Sequence, residues 1–347
     1  MDRIDLRSDT VTLPTPEMRQ AMANAELGDD VFGEDPTVNR LEAQMAERLG
    51  KMAGLFVPSG TMGNLTALLT HCGRGDEVIL GDLSHSFLFE TGGMSALGGI
   101  HPFTVPNQSD GTLRLDDIES AIRADNPHYP ISRLICLENT HNRCGGVPIT
   151  PEYTRKVGDL ARQYSLKLHL DGARIFNAAI ALGVPAAELA APADSIMICL
   201  SKALCAPVGS VLCGDEDFIQ RARRVRKQLG GGMRQAGVIA AAGIVALENM
   251  VDRLAEDHMR ARLLAERLRE IPGLSLEREE PPTNMVYLQF SQDAPISAPE
   301  LAQRCSEKGI KLSAIGPRRM RLVVHYWIDD QAIDTVVKAF EQGLKSD

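Results

Sequence analysis

The sequence predicts an α/β protein in which a mostly parallel sheet is flanked by helices in a large domain, followed by a small α+β domain. Three observations support this fold class. Short apolar runs alternate with longer segments of helical period, the pattern of βα units around a parallel sheet. The 347 residues exceed what one hydrophobic core usually fills. The order of elements also changes after about residue 255, which indicates a second domain.

We therefore expect an N-terminal arm at 1–15, a large domain at 16–254 and a small domain at 255–347. In the large domain, uninterrupted apolar runs predict strands at 54–57, 77–80, 133–137, 166–170, 195–200 and 208–213. Apolar residues at helical spacing predict helices at 36–50, 62–72, 116–124, 151–164, 215–228 and 235–254. The small domain is expected to contain helices at 256–270, 299–308 and 330–344, and strands at 285–290 and 320–325.

The helix at 36–50 carries the clearest local signals. Asp35 is a good N-cap residue, and Pro36 suits the first helical turn. Leu41 and Met45 stand four residues apart and begin an apolar stripe. This segment is therefore predicted to pack one face against the sheet.

Charge and hydropathy exclude some classes of protein. The 37 basic and 46 acidic residues give a net charge of −9, the wrong sign for a protein that neutralises phosphate backbones, so we expect no nucleic-acid partner. Apolar runs fall far short of the roughly 20 residues of a membrane span, so we expect no membrane partner. The opening residues contain no apolar segment, which favours a cytoplasmic protein.

The seven cysteines indicate neither a disulfide framework nor a metal site. Their number is odd, and none has the short paired spacing of zinc ligands. Cys136, Cys199 and Cys213 lie inside strand-like runs, where a thiol acts as a small apolar group. We expect reduced thiols and no bound metal.

Ligands of open parallel sheets bind outside the carboxyl ends of the strands. In this chain small, polar and ionisable residues follow the predicted strands: Ser59-Gly60-Thr61, Asp82 to His85, Glu138-Asn139, Asp171 to Arg174 and Ser201-Lys202. We therefore expect the functional site at this edge.

Lys202 is the first candidate for a reactive group. It is one of nine lysines, and it alone directly follows a strand of buried character. Burial of a charged ammonium group is unfavourable, which favours the neutral, nucleophilic amine. The alternative is a lysine whose side chain extends from the strand end into solvent.

Asp171 ends another predicted strand, where a carboxylate needs a cation or hydrogen-bond donors. A protonated pyridine nitrogen is such a cation, and an ion pair with Arg174 is the alternative. Ser59-Gly60-Thr61 leads from a strand into a helix, an arrangement that binds phosphate through backbone amides. An amine, an acid and a phosphate-binding turn at one edge together favour pyridoxal 5′-phosphate.

Two further features are weaker. His85 and His128 lie in predicted loops, where a single histidine is more often structural than catalytic. The segment 230–235 is glycine-rich and follows a basic helix, but no strand precedes it, so it is not a dinucleotide-binding fingerprint. An exposed basic helix is the simpler interpretation there.

Several segments, taken in order along the chain, carry a family resemblance: 5–12, 28–31, 58–62, 138–142, 171–177, 200–202 and 230–235. They resemble the motifs of low-specificity L-threonine aldolases in residue type, order and spacing. The resemblance implies a fold-type-I lyase that depends on pyridoxal 5′-phosphate. Such an enzyme cleaves L-threonine or L-allo-threonine to glycine and acetaldehyde.

The resemblance also implies roles for the cofactor-binding residues. Lys202 would form the Schiff base, and Asp171 would pair with the pyridine nitrogen. His85 would stack on the cofactor ring, with Arg174 beside it. The phosphate would be bound by Gly60, Thr61 and the amide of Met62, with Lys227 and Arg234 coming from a neighbouring subunit of a homotetramer.

The substrate would be bound by three groups at its carboxylate and by histidines at its hydroxyl. Ser8, Arg174 and Arg321 would bind the carboxylate, for which the planar guanidinium is well suited. His85 and His128 would face the β-hydroxyl.

Some positions depart from the family pattern. Phe32 replaces a tyrosine that many members carry, and Ala203 replaces a glycine that commonly follows the lysine. Two other functions stay open from sequence: another fold-type-I β-eliminating lyase, and a catalytically silent relative that binds the cofactor as a sensor.

Overall fold

The computed structural model describes residues 4–345. The first three residues of the predicted arm and the last two of the predicted small domain lie outside the described residues. The limits predicted between the arm and the two domains remain predictions. Among residues 4–345, no helix combines the length and the apolar character needed to cross a lipid bilayer.

The central sheet has seven strands in the order β2-β8-β7-β6-β5-β3-β4. β8 runs antiparallel to its two neighbours, and the other pairings are parallel, so the predicted, mostly parallel sheet is confirmed. The bounds are β2 (Ala53–Val57), β3 (Glu77–Gly81), β4 (His101–Val105), β5 (Ser132–Glu138), β6 (Lys167–Asp171), β7 (Ser195–Cys199) and β8 (Ser210–Gly214).

β4 is absent from the sequence prediction. It lies at one end of the sheet and contains Pro102, which lacks the amide donor of an interior strand. An edge strand pairs on one side only, so it needs neither a continuous apolar run nor a full set of donors.

Helices cover the sheet and build most of the C-terminal unit. They are α1 (Pro16–Ala23), α2 (Pro36–Arg48), α3 (Gly60–His71), α4 (His85–Leu88), α5 (Gly93–Ala96), α6 (Leu115–Ala121), α7 (Pro151–Gln163), α8 (Ile175–Leu182), α9 (Ala186–Ala190), α10 (Glu216–Gln228), α11 (Gly237–Asn249), α12 (Leu254–Arg269), α13 (Ala298–Glu307) and α14 (Asp330–Gly343). The helix predicted at 235–254 ends at Asn249, and a turn precedes α12. α8 went unpredicted because it is apolar on nearly every face and has no polar period.

The C-terminal unit contains a second, antiparallel sheet in the order β12-β13-β10-β9. Its strands are β9 (Leu274–Leu276), β10 (Met285–Phe290), β12 (Ser313–Gly316) and β13 (Arg319–Val323). Helices α12, α13 and α14 pack on it around a core that is separate from that of the large sheet. The predicted small α+β domain is confirmed in architecture.

The N-terminal arm belongs structurally to the C-terminal unit. β1 (Ile4–Asp5) pairs in parallel with β11 (Ile310–Lys311). Leu6 is fully buried in the C-terminal core, and its carbonyl accepts the amide of Val323 at 2.9 Å. The chain then crosses from this unit to the edge of the large sheet, where residues 8–12 contact the predicted site.

Candidate functional site

The carboxyl ends of the parallel strands carry most of the predicted site residues. Asp171 is the last residue of β6, Lys202 follows β7, His85 follows β3, and Gly60 begins α3 after β2. Strand direction alone brings these four residues to one edge of the sheet.

Lys202 is held by its backbone, since no residue of the described range 4–345 makes a hydrogen bond or ion pair with its side chain. Its carbonyl accepts the hydroxyl of Thr12 at 2.8 Å, which connects this turn to the N-terminal arm. The residue itself is half-buried, and the four residues 203–206 that follow it are buried. The amine therefore stands at the sheet edge on a fixed turn.

Asp171 is a buried carboxylate with only neutral hydrogen-bond donors among the described residues. Its Oδ2 accepts the Asn64 amide at 2.8 Å, and its Oδ1 accepts the backbone amide of Ala173 at 3.1 Å. The alternative ion pair with Arg174 is wrong, because Arg174 pairs with Asp9 instead. Asp171 is thus available to a cation brought by a ligand.

Arg174 and Asp9 form a buried, bidentate ion pair. Arg174 Nε and Nη2 donate to the two Asp9 carboxylate oxygens at 2.7 and 2.6 Å. Burial would raise the pKa of Asp9, but the Arg174 guanidinium outweighs it and holds that pKa well below its ordinary value. The charges of Lys202 and Arg321 act in the same direction, which places both side chains near this pair.

We predict that Asp9→Asn lowers the free energy of unfolding by about 3–5 kcal/mol at pH 7, because it leaves a buried guanidinium without its counter-charge. The folded-state pKa of Asp9 lies below its unfolded value of about 3.9, so the pair stabilises the protein fully above that value. The difference between wild type and variant should shrink as the pH falls below about 4. Urea unfolding at several pH values measures it.

The matched control is Asp159→Asn in an exposed ion pair. Asp159 pairs with Arg162, and the two side chains are 64% and 60% exposed, so its removal is expected to change stability by less than about 1 kcal/mol. An Asp9→Asn variant as stable as this control would contradict the importance of the buried pair.

Arg321 reaches the same region from β13. Its guanidinium donates to Asn142 Oδ1 at 2.6 Å and to the Arg7 carbonyl at 3.0 Å. Its Nε is buried without a hydrogen-bond partner among the described residues. Ser8 caps the short turn that carries Asp9, and its Oγ accepts the Thr10 amide at 3.3 Å. The three predicted carboxylate-binding residues, Ser8, Arg174 and Arg321, therefore lie around one stretch of arm.

His85 begins α4 with its backbone and ring both hydrogen-bonded. Its amide donates to Glu138 Oε2 at 2.7 Å, and its Nδ1 lies 3.0 Å from Glu90 Oε1. The hydrogen bond with Glu90 and the charge of Asp171 raise the pKa of His85, against the lowering effect of burial. A fixed imidazole thus stands beside the Asp171 carboxylate.

The predicted phosphate-binding turn opens α3. Ser59 is the N-cap, and its Oγ accepts the Met62 amide at 3.2 Å. Gly60 lies so close to β7 that a Cβ there would come within 2.6 Å of Cys199 Sγ. Thr61 is exposed at the first turn. The Met62 amide, which is predicted to bind the phosphate, is thus occupied by the cap, and the amides of Gly60 and Thr61 are the first-turn donors left for an anion among the described residues.

The glycine-rich segment approaches this turn within the same chain. A Cβ on Gly231 would lie 2.2 Å from Met62 Sδ, so the two segments are in direct contact. Lys227 and Arg234 are exposed, and Arg234 pairs with Asp29 at 3.0 Å. Their assignment to a neighbouring subunit remains a prediction.

His128 is not brought to the site within one chain. It lies on an exposed loop that precedes β5, so it stands at the amino edge of the sheet, opposite Glu138. The adjacent Tyr129 contacts Arg123, which pairs with Glu77 at the start of β3. A role for His128 in this chemistry would require a second chain.

Sequence reasoning missed three residues of this site: Asp9, Asn64 and Glu90. Asp9 lies within a segment of family resemblance, but it carries no sign of its distant partner. Asn64 offers a better signal, because it is a polar residue within the apolar stretch of α3 and is buried. Glu90 follows the apolar residues Phe87 to Phe89, but these three side chains are exposed in the structure. An apolar neighbourhood in the sequence therefore does not indicate that Glu90 is buried.

Comparison with known proteins agrees with this geometry. The profile of the family described as beta-eliminating lyase matches residues 5–291. The chain is 50% identical over 347 residues to low-specificity L-threonine aldolase 1 of Arabidopsis thaliana, and the alignment covers 99% of this chain and 97% of that protein. It is 47% identical over 322 residues to the low specificity L-threonine aldolase of Escherichia coli strain K12, covering 93% of each.

The fold is shared as well. The solved structure of Leishmania major threonine aldolase matches with a TM-score of 0.82 at 22% identity, over 99% of this chain and 100% of that one. With half of its residues identical to those of a curated relative along nearly the whole length, the chain belongs to the low-specificity L-threonine aldolases within the beta-eliminating lyase family.

Proposed function

We propose that the protein cleaves L-threonine and L-allo-threonine to glycine and acetaldehyde with pyridoxal 5′-phosphate as cofactor. One observation carries this proposal: a buried carboxylate, Asp171, has no cationic partner among the described residues and lies at the same sheet edge as Lys202. The close aldolase relatives support the substrate.

The residues present fit this cofactor. Uncompensated burial of a carboxylate is unfavourable, so Asp171 suits a protonated pyridine nitrogen. The start of α3 suits a phosphate, and Lys202 supplies the amine that would hold the aldehyde carbon. When bound, pyridoxal phosphate accepts the electron pair that is released as the substrate Cα–Cβ bond breaks.

The side chains of this chain orient the substrate and move its proton. Arg174 donates to Asp9 through Nε and Nη2, so Nη1 is the donor it would offer to a substrate carboxylate. Together with Arg321, which comes from the other unit, it can bind one carboxylate from two sides, which would fix the bond to be broken. His85 lies beside Asp171 and is the candidate acceptor of the β-hydroxyl proton. Selectivity among possible reactions then depends mainly on position.

The purified protein tests this proposal directly. We expect a visible absorption band from the lysine-bound cofactor and acetaldehyde release from both threonine diastereomers. The matched family profile makes a β-eliminating lyase the second candidate. That enzyme would release pyruvate from an amino acid with a β leaving group. Pyruvate without acetaldehyde would therefore overturn the aldolase assignment.

A homotetramer with shared sites is part of the proposal. Phe32 is 73% exposed and, with Lys227, lines a cavity of about 530 Å³. An exposed aromatic ring beside basic side chains is typical of a surface that another chain covers. Lys227 and Arg234 would then reach the phosphate of a neighbouring subunit.

We predict that inactive Lys202→Ala chains, unfolded and refolded together with inactive Arg234→Ala chains, recover part of the activity. Mixed assemblies would contain some sites with both residues intact if the site is shared between chains. Acetaldehyde release after refolding measures the recovery. No recovery in mixed assemblies would favour a site within one chain, as the contact between Gly231 and Met62 allows.

His128 is proposed to orient the β-hydroxyl from a second chain. We predict that His128→Phe changes the ratio of threonine to allo-threonine activity several-fold and leaves the cofactor spectrum intact. The ratio of kcat/KM values measures this effect. An unchanged ratio would show that the exposed loop plays no part in the reaction.

The cytoplasm is the proposed location. All seven cysteines are free thiols, and six of them are buried. Burial raises the pKa of Cys72 and Cys205, which keeps those thiols protonated. A reducing compartment maintains this state, and cell fractionation tests the location.

A further inference from the structure

A carboxylate that the proposed mechanism leaves without a role contacts the candidate base. The side chain of Glu90 is 5% exposed, and its Oε1 lies 3.0 Å from Nδ1 of His85. One ligand atom each from His85, Glu90 and Asp171 lies within 4.8 Å of the others. Two buried carboxylates so close together need donors between them.

Asn64 supplies those donors. Its Nδ2 donates to Glu90 Oε1 at 2.9 Å and to Asp171 Oδ2 at 2.8 Å. Its Oδ1 lies 3.2 Å from Nε2 of His169, and burial lowers the pKa of that histidine to about 4. A neutral His169 can donate from Nε2 and accept the Ser195 hydroxyl at Nδ1, 2.8 Å away.

This chain of contacts fixes the orientation of Glu90. Because the Asn64 carbonyl faces His169, its amide hydrogens must face the two carboxylates. Glu90 therefore accepts from Asn64 and still has lone pairs for His85. A carboxylate acceptor at Nδ1 favours the imidazole tautomer that carries its hydrogen there.

We propose that Glu90 is a positioning residue that holds His85 in the Nδ1–H tautomer, so that Nε2 accepts the β-hydroxyl proton of the substrate. The inference rests on the proposed aldolase function. The proton leaves the hydroxyl oxygen for Nε2, and the Glu90 carboxylate then stabilises the imidazolium that forms.

The charges around His85 determine in which direction its pKa should move when Glu90 is replaced. Glu90, Asp171 and Glu138 face it from neighbouring segments, and the charge of Lys202 opposes them. The hydrogen bond that His85 donates to Glu90 is the largest influence that raises the pKa of His85. Removal of that negative charge should therefore lower it.

Glu90→Gln in the holoenzyme is expected to move the acid limb of the kcat/KM profile to lower pH by about one unit. It should also reduce the plateau of kcat roughly tenfold to a hundredfold, with a smaller change in KM. Glu90→Ala should show the same shift and a larger loss, because no acceptor remains at Nδ1.

The readout that does not depend on activity is hydrogen–deuterium exchange at the His85 ring carbon between the two nitrogens, followed by peptide mass spectrometry over a range of pH. The pH midpoint of this exchange reports the protonation of His85 itself. We expect the midpoint to fall in Glu90→Gln in parallel with the acid limb. An unmoved midpoint, or a moved midpoint with wild-type turnover and pH profile, would overturn the proposal.

Glu77→Gln is the matched control. Glu77 is fully buried at the start of β3, at the opposite edge of the sheet, and pairs with Arg123. Its variant is expected to lose stability without moving the His85 midpoint.

A wild-type enzyme that releases no acetaldehyde would refute the proposed function, and the His85 midpoint in Glu90→Gln would still decide whether Glu90 controls this histidine.

Discussion

Lys202→Ala is expected to reduce acetaldehyde release by roughly a thousandfold or more, because the amine proposed to form the covalent bond to the cofactor is lost. The half-buried turn around Lys202 is held by its carbonyl contact to Thr12, so truncation of the side chain should leave the backbone in place. Loss of activity with normal folding, measured by circular dichroism, would separate chemistry from stability.

Borohydride reduction of the wild-type holoenzyme identifies the lysine that binds the cofactor without any mutation. Peptide mapping should locate the pyridoxyl group on Lys202. Lys51→Ala is the matched control, since Lys51 is also half-buried and donates to the Ala193 carbonyl away from the site. Normal activity in Lys202→Ala, or a label on another lysine, would refute this assignment.

Asp171→Asn is expected to lower kcat by roughly a hundredfold or more while KM for threonine changes little. In the proposed role the Asp171 carboxylate would keep the pyridine nitrogen protonated, and that charge would stabilise the electron pair in the transition state rather than the bound substrate. Steady-state kinetics on both threonine diastereomers separate the two parameters.

The control for this variant is Asp194→Asn. Asp194 lies just before β7, at the amino edge of the sheet, where it pairs with Lys167 at 2.7 Å. It should leave kcat unchanged. Near-wild-type turnover in Asp171→Asn would show that a neutral amide serves equally well and that the proposed role of the charge is wrong.

The buried strands of the large sheet could be predicted from sequence because each contains a run of apolar residues. Both faces of a parallel sheet are covered, so the interior positions of β3 and β7 are apolar, and in β6 only His169 interrupts the run. Ionisable residues that end or follow these runs stand out against them, which explains why Asp171 and Lys202 could be singled out from the sequence.

The partners of these residues could not be predicted in the same way. The nearest carboxylate to Arg174 in sequence is Asp171, yet its ion pair is with Asp9, 165 positions away. Local spacing favours the wrong pair because it contains no information about the path of the N-terminal arm. Glu90 and Asn64 are likewise joined only in three dimensions, 26 positions apart.

The path of that arm sets a constraint on chain length rather than on side-chain type. The Arg7 carbonyl accepts a hydrogen bond from Arg321, and the Asp9 carboxylate accepts one from Arg174 Nε. These two positions are separated by no more than about 7 Å of extended backbone. An insertion of one residue between them would move one of these two acceptors about 3.5 Å away from its guanidinium, more than a hydrogen bond tolerates. We therefore expect this segment to accept substitutions far better than insertions or deletions.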